Sequence, residues 1–203
     1  MTTMDFLKKY SLYTLLVVAV LFTGCDDEEP EPENLPEIIT DVMLIFTNVA
    51  DANDIVEARA QDPDGEGVEE LRILDDITLG TDKTYRLTYE IFNNLETPGD
   101  NIGNEILDED DEHQFFFSFS TDAFASPTGN GNIDKADDPI NYDDEDDNGF
   151  VVGLQTIWTT SSTTLTGGTF TARLQHQPDV KTATSGATDG DTDFDLEFVL
   201  NIQ

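Results

Sequence analysis

Residues 194–202 read FDLEFVLNI, and this run constrains the fold more than any other feature. Phe194, Leu196, Phe198, Leu200 and Ile202 alternate with polar or acidic positions that begin at Asp193, Asp195 and Glu197. An apolar side chain at every second residue means one buried face and one wet face, which a strand packed on one side provides and a helix does not. The same period recurs along the chain. Tyr85, Leu87, Tyr89 and Ile91 alternate with Arg86, Thr88 and Glu90; Phe115, Phe117 and Phe119 share one face; so do Leu154, Thr156 and Trp158, and Phe170, Ala172 and Leu174. Residues 38–47 form a further Ile-, Val- and Phe-rich run, and 55–60 and 71–79 are weaker strand candidates. Gly, Asp, Asn, Pro and Thr clusters separate the runs and mark turns. One short helix is expected within 101–110. About seven to nine strands of this kind predict an all-β fold, an antiparallel immunoglobulin-like β-sandwich, with a small barrel as the alternative. No internal repeat is visible.

A sandwich needs apolar mass and a soluble exterior. Thirteen Phe and 37% hydrophobic residues supply the first. The second is extreme: 44 Asp and Glu stand against nine Lys and Arg, a formal net charge of −35. Such a charge disfavours nucleic acid and anionic lipid surfaces, which need a basic face, and favours cations.

The first residues are of another kind. Lys8 and Lys9 precede the apolar run 11–22, which is shorter than the roughly 20 residues of a membrane-spanning helix. Thr23, Gly24 and then Cys25, the sole cysteine, follow. Residues 1–24 read as an export signal. The stretch Phe22-Thr23-Gly24-Cys25 resembles a bacterial lipobox, with Phe where Leu is usual. That resemblance implies an acylated Cys25 as the mature N-terminus, anchored to a lipid bilayer without spanning it. With one cysteine no intrachain disulfide can form. Residues 25–37 read as a flexible acidic linker, stiffened by Pro30 and Pro32. Residues 38–203 are expected to form the sandwich domain. The acids that follow Cys25 resemble the address that sends Bacteroidota lipoproteins to the outer membrane, facing the cell exterior.

Two constellations suit cations. His113 is in phase with Phe115, Phe117 and Phe119 at the start of one strand, and His176 with Phe170, Ala172 and Leu174 at the end of another. Antiparallel neighbours bring the start of one strand beside the end of the other, so both rings can meet at one rim. Glu112, Gln114, Gln177 and Asp179 adjoin them. Two imidazoles and a carboxylate suit zinc or copper, and two imidazoles suit a haem; two strand-end histidines with ordinary hydrogen bonds are the plainer reading. The loop YDDEDDNG at 142–149 places Asp144, Asp146 and Asn148 on alternate residues before Gly149, the opening of a calcium loop. Its twelfth position is Gln155 instead of Glu, so a solvated hairpin loop competes with calcium here. No G-x-S-x-G, P-loop or dinucleotide fingerprint is present and no acid pair stands out, so an enzyme is not expected.

The segments DEHQFFFSF (111–119), GLQTIWTT (153–160) and ARLQHQPD (172–179) resemble the motifs DEHQFFF, GLxTxWTT and LRHEPDK of a family of small Bacteroidota outer-membrane lipoproteins. The likeness spans most of residues 22–203. It implies that His113 and His176 are shared positions, and that Gln177 stands where Glu is expected. Such lipoproteins resemble partners of TonB-dependent receptors, which implies a surface-exposed, non-enzymatic accessory module for capture of a metal or haem. The competing role is a structural or adhesion module whose acidic loops bind calcium.

Overall fold

The computed structural model describes residues 37–65 and 70–203. The export segment, Cys25 and the acids that follow it lie outside the described residues. The described chain is a β-sandwich. Its elements are β1 (Asp41–Asn48), β2 (Ile55–Gln61), β3 (Arg72–Ile73), β4 (Ile77–Leu79), β5 (Thr84–Phe92), α1 (Ile102–Asp108), β6 (His113–Phe119), β7 (Phe124–Ser126), β8 (Thr156–Thr160), β9 (Leu165–His176) and β10 (Asp191–Ile202). One sheet runs β3-β2-β1-β5-β8-β7 and the other β4-β10-β9-β6.

Local pattern explains the strands directly. In β1 the sequence DVMLIFTN alternates half-buried and buried residues without a break. It pairs antiparallel with β2 and with β5, so Val42, Leu44 and Phe46 face the opposite sheet. In β10, Phe194, Leu196, Phe198, Leu200 and Ile202 are all buried. Between the sheets Trp158 is fully buried and meets Phe117, Phe119 and Phe170 edge-on, with ring centroids 5.0–5.5 Å apart. Its indole Nε1–H donates to Thr156 Oγ1 at 2.7 Å, so the ring is buried with its polar atom satisfied. Truncating such a ring to Ala costs ~3–5 kcal/mol.

Three features depart from the sequence reading. The 71–79 run is two strands in different sheets. Asp75 and Asp76 interrupt its alternation, and Asp75 turns out to meet Arg59 at 2.7 Å. β4 then pairs with β10 in parallel, so the smaller sheet is mixed and not purely antiparallel. Strands so far apart in sequence need no hairpin, and nothing forces the antiparallel sense on them. β7 is three residues long, too short to show a period.

β6 is the edge of the smaller sheet, yet its outer side is not bare. Phe115 N–H donates to Val152 O at 2.7 Å, Phe119 N–H to Asn130 O at 2.9 Å, and Asn132 N–H to Phe117 O at 2.8 Å. Gly131 makes this close cover feasible: its φ is +97°, and a Cβ there would sit 2.1 Å from Phe117 O. A covered edge holds β6 in fixed register, and its first residue is His113.

A candidate metal centre at the rim of the sandwich

β6 and β9 pair antiparallel with His113 directly opposite His176. The two rings stack with centroids 4.5 Å apart and planes 3° from parallel. Both continue the inward-facing rows of Phe115 and Leu174, so both lie on the core side of the sheet. His113 is fully buried and His176 is 4% exposed.

The turn after α1 sets the His113 ring. Asn101 caps the helix by accepting from Asn104 N–H at 3.0 Å, and Ile102 and Ile106 anchor it in the interior. Glu109 N–H closes the helix onto Glu105 O at 2.9 Å. The Glu109 carbonyl then receives His113 Nδ1–H at 3.0 Å. That bond fixes the tautomer and leaves the Nε2 lone pair facing away from the backbone, as in metal-ligating histidines whose other nitrogen is held by a carbonyl.

Acids surround the rings. Glu37 Oε1 lies 3.4 Å from His113 Nε2, and Asp193 Oδ2 lies 3.9 Å from it. Glu112 Oε2 lies 3.5 Å from His176 Nε2. Glu37, His113 and His176 each offer one ligand atom within 4.8 Å of the others, and Glu109, Glu112 and His176 do the same. The 3.4 and 3.5 Å separations are too long for a well-made hydrogen bond. They match the roughly 3.3 Å edge of a tetrahedron built on ~2.0–2.1 Å zinc bonds. Among the described residues nine buried side-chain atoms lack a hydrogen-bond partner, and five converge here: Glu37 Oε2, His113 Nε2, His176 Nε2 and both Asp193 oxygens. Buried polar atoms are rarely left so, and a cluster of them calls for an explanation.

Electrostatics agree with geometry. Burial pushes the Asp193 carboxyl up to about 7, helped by the charge of Glu37 and opposed by His113. Burial also acts on Glu37, but His113 and His176 outweigh it and hold the carboxylate below its ordinary range. For His113 burial works downward, and the Glu37 carboxylate, the Glu109 carbonyl and Asp193 overcome it, so its pKa is raised.

Glu37 and Asp193 were missed from sequence for definable reasons. Glu37 falls in the stretch read as linker, yet its side chain is only 11% exposed and reaches the histidines. Asp193 falls in the polar phase of β10. The β9–β10 register slips between Thr192 and Phe194, and this bulge gives Asp193 no partner residue. The extra residue is turned off the solvent face, and the side chain is fully buried. Nothing in an alternating pattern announces a bulge. Beside them a cavity of about 410 Å³ opens, lined by Glu37, Asp62, Glu70, Asp193 and Leu196 among others.

Gln177, where the likeness to the lipoprotein motif implies Glu, is tied to the neighbouring loop through its amide nitrogen. Its Nε2–H₂ donates to Gly186 O at 3.2 Å and Asp189 O at 3.0 Å, which fixes the loop before β10. The histidine arrangement also bears on haem. Two axial imidazoles must point end-on at an iron from opposite sides of the macrocycle. Rings stacked face to face at 4.5 Å leave no room for one between them.

The 142–149 loop is organised around its own groups. Asp144 accepts Gly153 N–H at 2.8 Å and Gln155 N–H at 3.0 Å. Asp146 Oδ1 accepts Asn148 and Phe150 N–H, both at 2.9 Å. Asp146 Oδ2 faces Lys181 Nζ at 3.0 Å, with both side chains buried. Asn148 is exposed on the turn. Backbone amides and an ammonium thus already engage the oxygens a calcium ion would use.

Comparison of the chain with protein-family models, with curated proteins and with solved structures gave no match.

Proposed function

We propose that this protein captures a divalent transition metal of the zinc class at the His113–His176 rim, and does so while tethered to a membrane through lipid on Cys25. The observation that carries the metal reading is the pair of buried imidazole Nε2 atoms without partners, each about one tetrahedron edge from a carboxylate. Mixed N and O donors select zinc or copper over calcium, which takes oxygen alone. The tether rests on the lipobox-like FTGC stretch and the acids after it, and on the likeness to outer-membrane lipoproteins. A net charge of −35 draws cations toward such a surface. The role is binding and delivery, with a TonB-dependent receptor as the partner class that the family likeness suggests.

The metal reading is tested by zinc titration calorimetry of the purified protein and of the double variant His113→Ala/His176→Ala. Binding is expected in the first and none in the second. Equal heats from both would reject the site. The tether is tested by mass spectrometry of the native N-terminus: a diacylglyceryl thioether on Cys25 is expected, and a bare thiol with the leading peptide still attached would remove it.

A further inference from the structure

In-plane lone pairs of two parallel rings never meet. The His113 and His176 planes are 3° from parallel and stacked, so their nitrogens do not converge on one ion while the rings keep this arrangement. Each ring has carboxylates of its own. His113 Nε2 faces Glu37 and Asp193, and His176 Nε2 faces Glu112, with Glu109 in the same group. The Glu37 carboxylate belongs to both rings' surroundings, because it also lies within 4.8 Å of a ligand atom of His176.

We infer that the rim holds two metal ions, one on His113 with Glu37 and Asp193 and one on His176 with Glu112 and Glu109, with the Glu37 carboxylate bridging them. The proposal deepens the capture reading and rests on it. Three observations support two ions over one. His176 belongs to two ligand groups, one with Glu37 and His113 and one with Glu109 and Glu112. Each imidazole is separately matched to a carboxylate, at 3.4 and 3.5 Å, where a single shared ion would need the rings tilted toward each other. Charge also balances: the carboxylates of Glu37, Asp193, Glu109 and Glu112 match the charge of two divalent ions. The first ion lies inside, next to the cavity that Glu37 and Asp193 line. The second lies toward solvent, where Glu112 is 37% exposed.

The test is metal stoichiometry, by equilibrium dialysis against zinc followed by elemental analysis, and by electron paramagnetic resonance with copper(II). Two zinc per chain are expected, with dipolar coupling between two copper ions. Glu112→Gln sits at the exposed side and leaves the buried half intact, so it is expected to drop the stoichiometry from two to one and erase the coupling. Glu37→Gln is expected to weaken both ions. One ion per chain, lost on mutating either histidine and without copper coupling, would overturn the two-ion arrangement and leave metal capture standing. No binding at all would overturn both.

Discussion

The 142–149 loop and the histidine rim both bury charge, and they handle it in opposite ways. At the 142–149 loop, Asp146 is buried against Lys181, whose ammonium also donates to Asp110 O at 2.5 Å. The second Asp146 oxygen holds two backbone N–H groups. That corner carries its own cation. At the histidine rim, among the described residues, the charged groups that act on Glu37 and Asp193 are the histidines and other carboxylates, and the Nε2 atoms of both rings have no hydrogen-bond partner. The loop pocket is sealed by an ammonium and the rim is not, and the proposed metal capture turns on that contrast. The comparison breaks most sharply at Lys181. Lys181→Met leaves Asp146 as an uncompensated buried charge and should cost ~3–5 kcal/mol in urea unfolding at neutral pH. Zinc affinity should be unchanged. A loss under 1 kcal/mol would mean that the pocket is wet and the contrast false.

The next largest effect is at Asp193 in the metal-free protein. A carboxyl whose folded pKa is about 7 binds its proton more tightly folded than unfolded. Its contribution is therefore present at low pH and is lost as pH climbs from about 4 through 7. His113 has the same sign, since a raised histidine stabilises below its folded pKa and ceases to above it. Glu37 has the opposite sign, being lowered: its contribution exists above the usual carboxylate range and fades on acidification. Besides these two, Asp191 also acts on Asp193 and pushes the same way as Glu37. Asp193→Asn should thus stabilise the metal-free protein above pH 7, by at most about 4 kcal/mol, the worth of a shift of roughly three units. At pH 4 it should change little. Urea midpoints across pH 4–9 measure this, and a variant that is less stable than the parent at pH 8 contradicts the assignment.

Filling the rim should reverse that penalty. Zinc at a hundredfold excess over its dissociation constant adds ~2.7 kcal/mol, which for a chain of this size raises Tm by roughly 5–10 °C. Thermal scans with zinc and then with EDTA read it directly. Glu112→Gln and His113→Ala should each retain part of the rise, and the double variant His113→Ala/His176→Ala none. A Lys181→Met protein should melt lower but show the same zinc increment, which separates the two corners in one experiment.

How far each corner could be read beforehand follows from its geometry. Strands announce themselves when one face is buried, so β1, β5 and β10 were plain, and so was the phase of His113 and His176. Antiparallel neighbours of equal reach then put the two rings opposite each other. The remaining members of the rim came from irregularities. Asp193 enters through a slipped register, and Glu37 through a segment that has no period because it precedes the first strand. The partner of Asp146 was equally hidden: Lys181 lies 35 positions along the chain, in a loop, and only the fold brings it near. The D-x-D-x-N-G pattern describes the loop's turn, whereas its cation was written elsewhere in the sequence.

The smallest effect expected is that of calcium, and it is the sharpest check on the contrast between the corners. Both Asp144 oxygens and one Asp146 oxygen already accept backbone N–H groups, and the other Asp146 oxygen faces an ammonium. A calcium ion would have to displace Lys181 and several hydrogen bonds from backbone N–H groups before it gained six to eight oxygens. Millimolar calcium should therefore leave Tm within about 1 °C of its value in EDTA, beyond the general screening of a highly acidic surface that magnesium would give equally. Asp144→Asn should lower Tm by the same amount with and without calcium, because it weakens the hydrogen bonds the carboxylate accepts from Gly153 and Gln155 N–H. A calcium-specific rise that Asp144→Asn removes would show that Lys181 yields its place and that this corner takes an ion from outside.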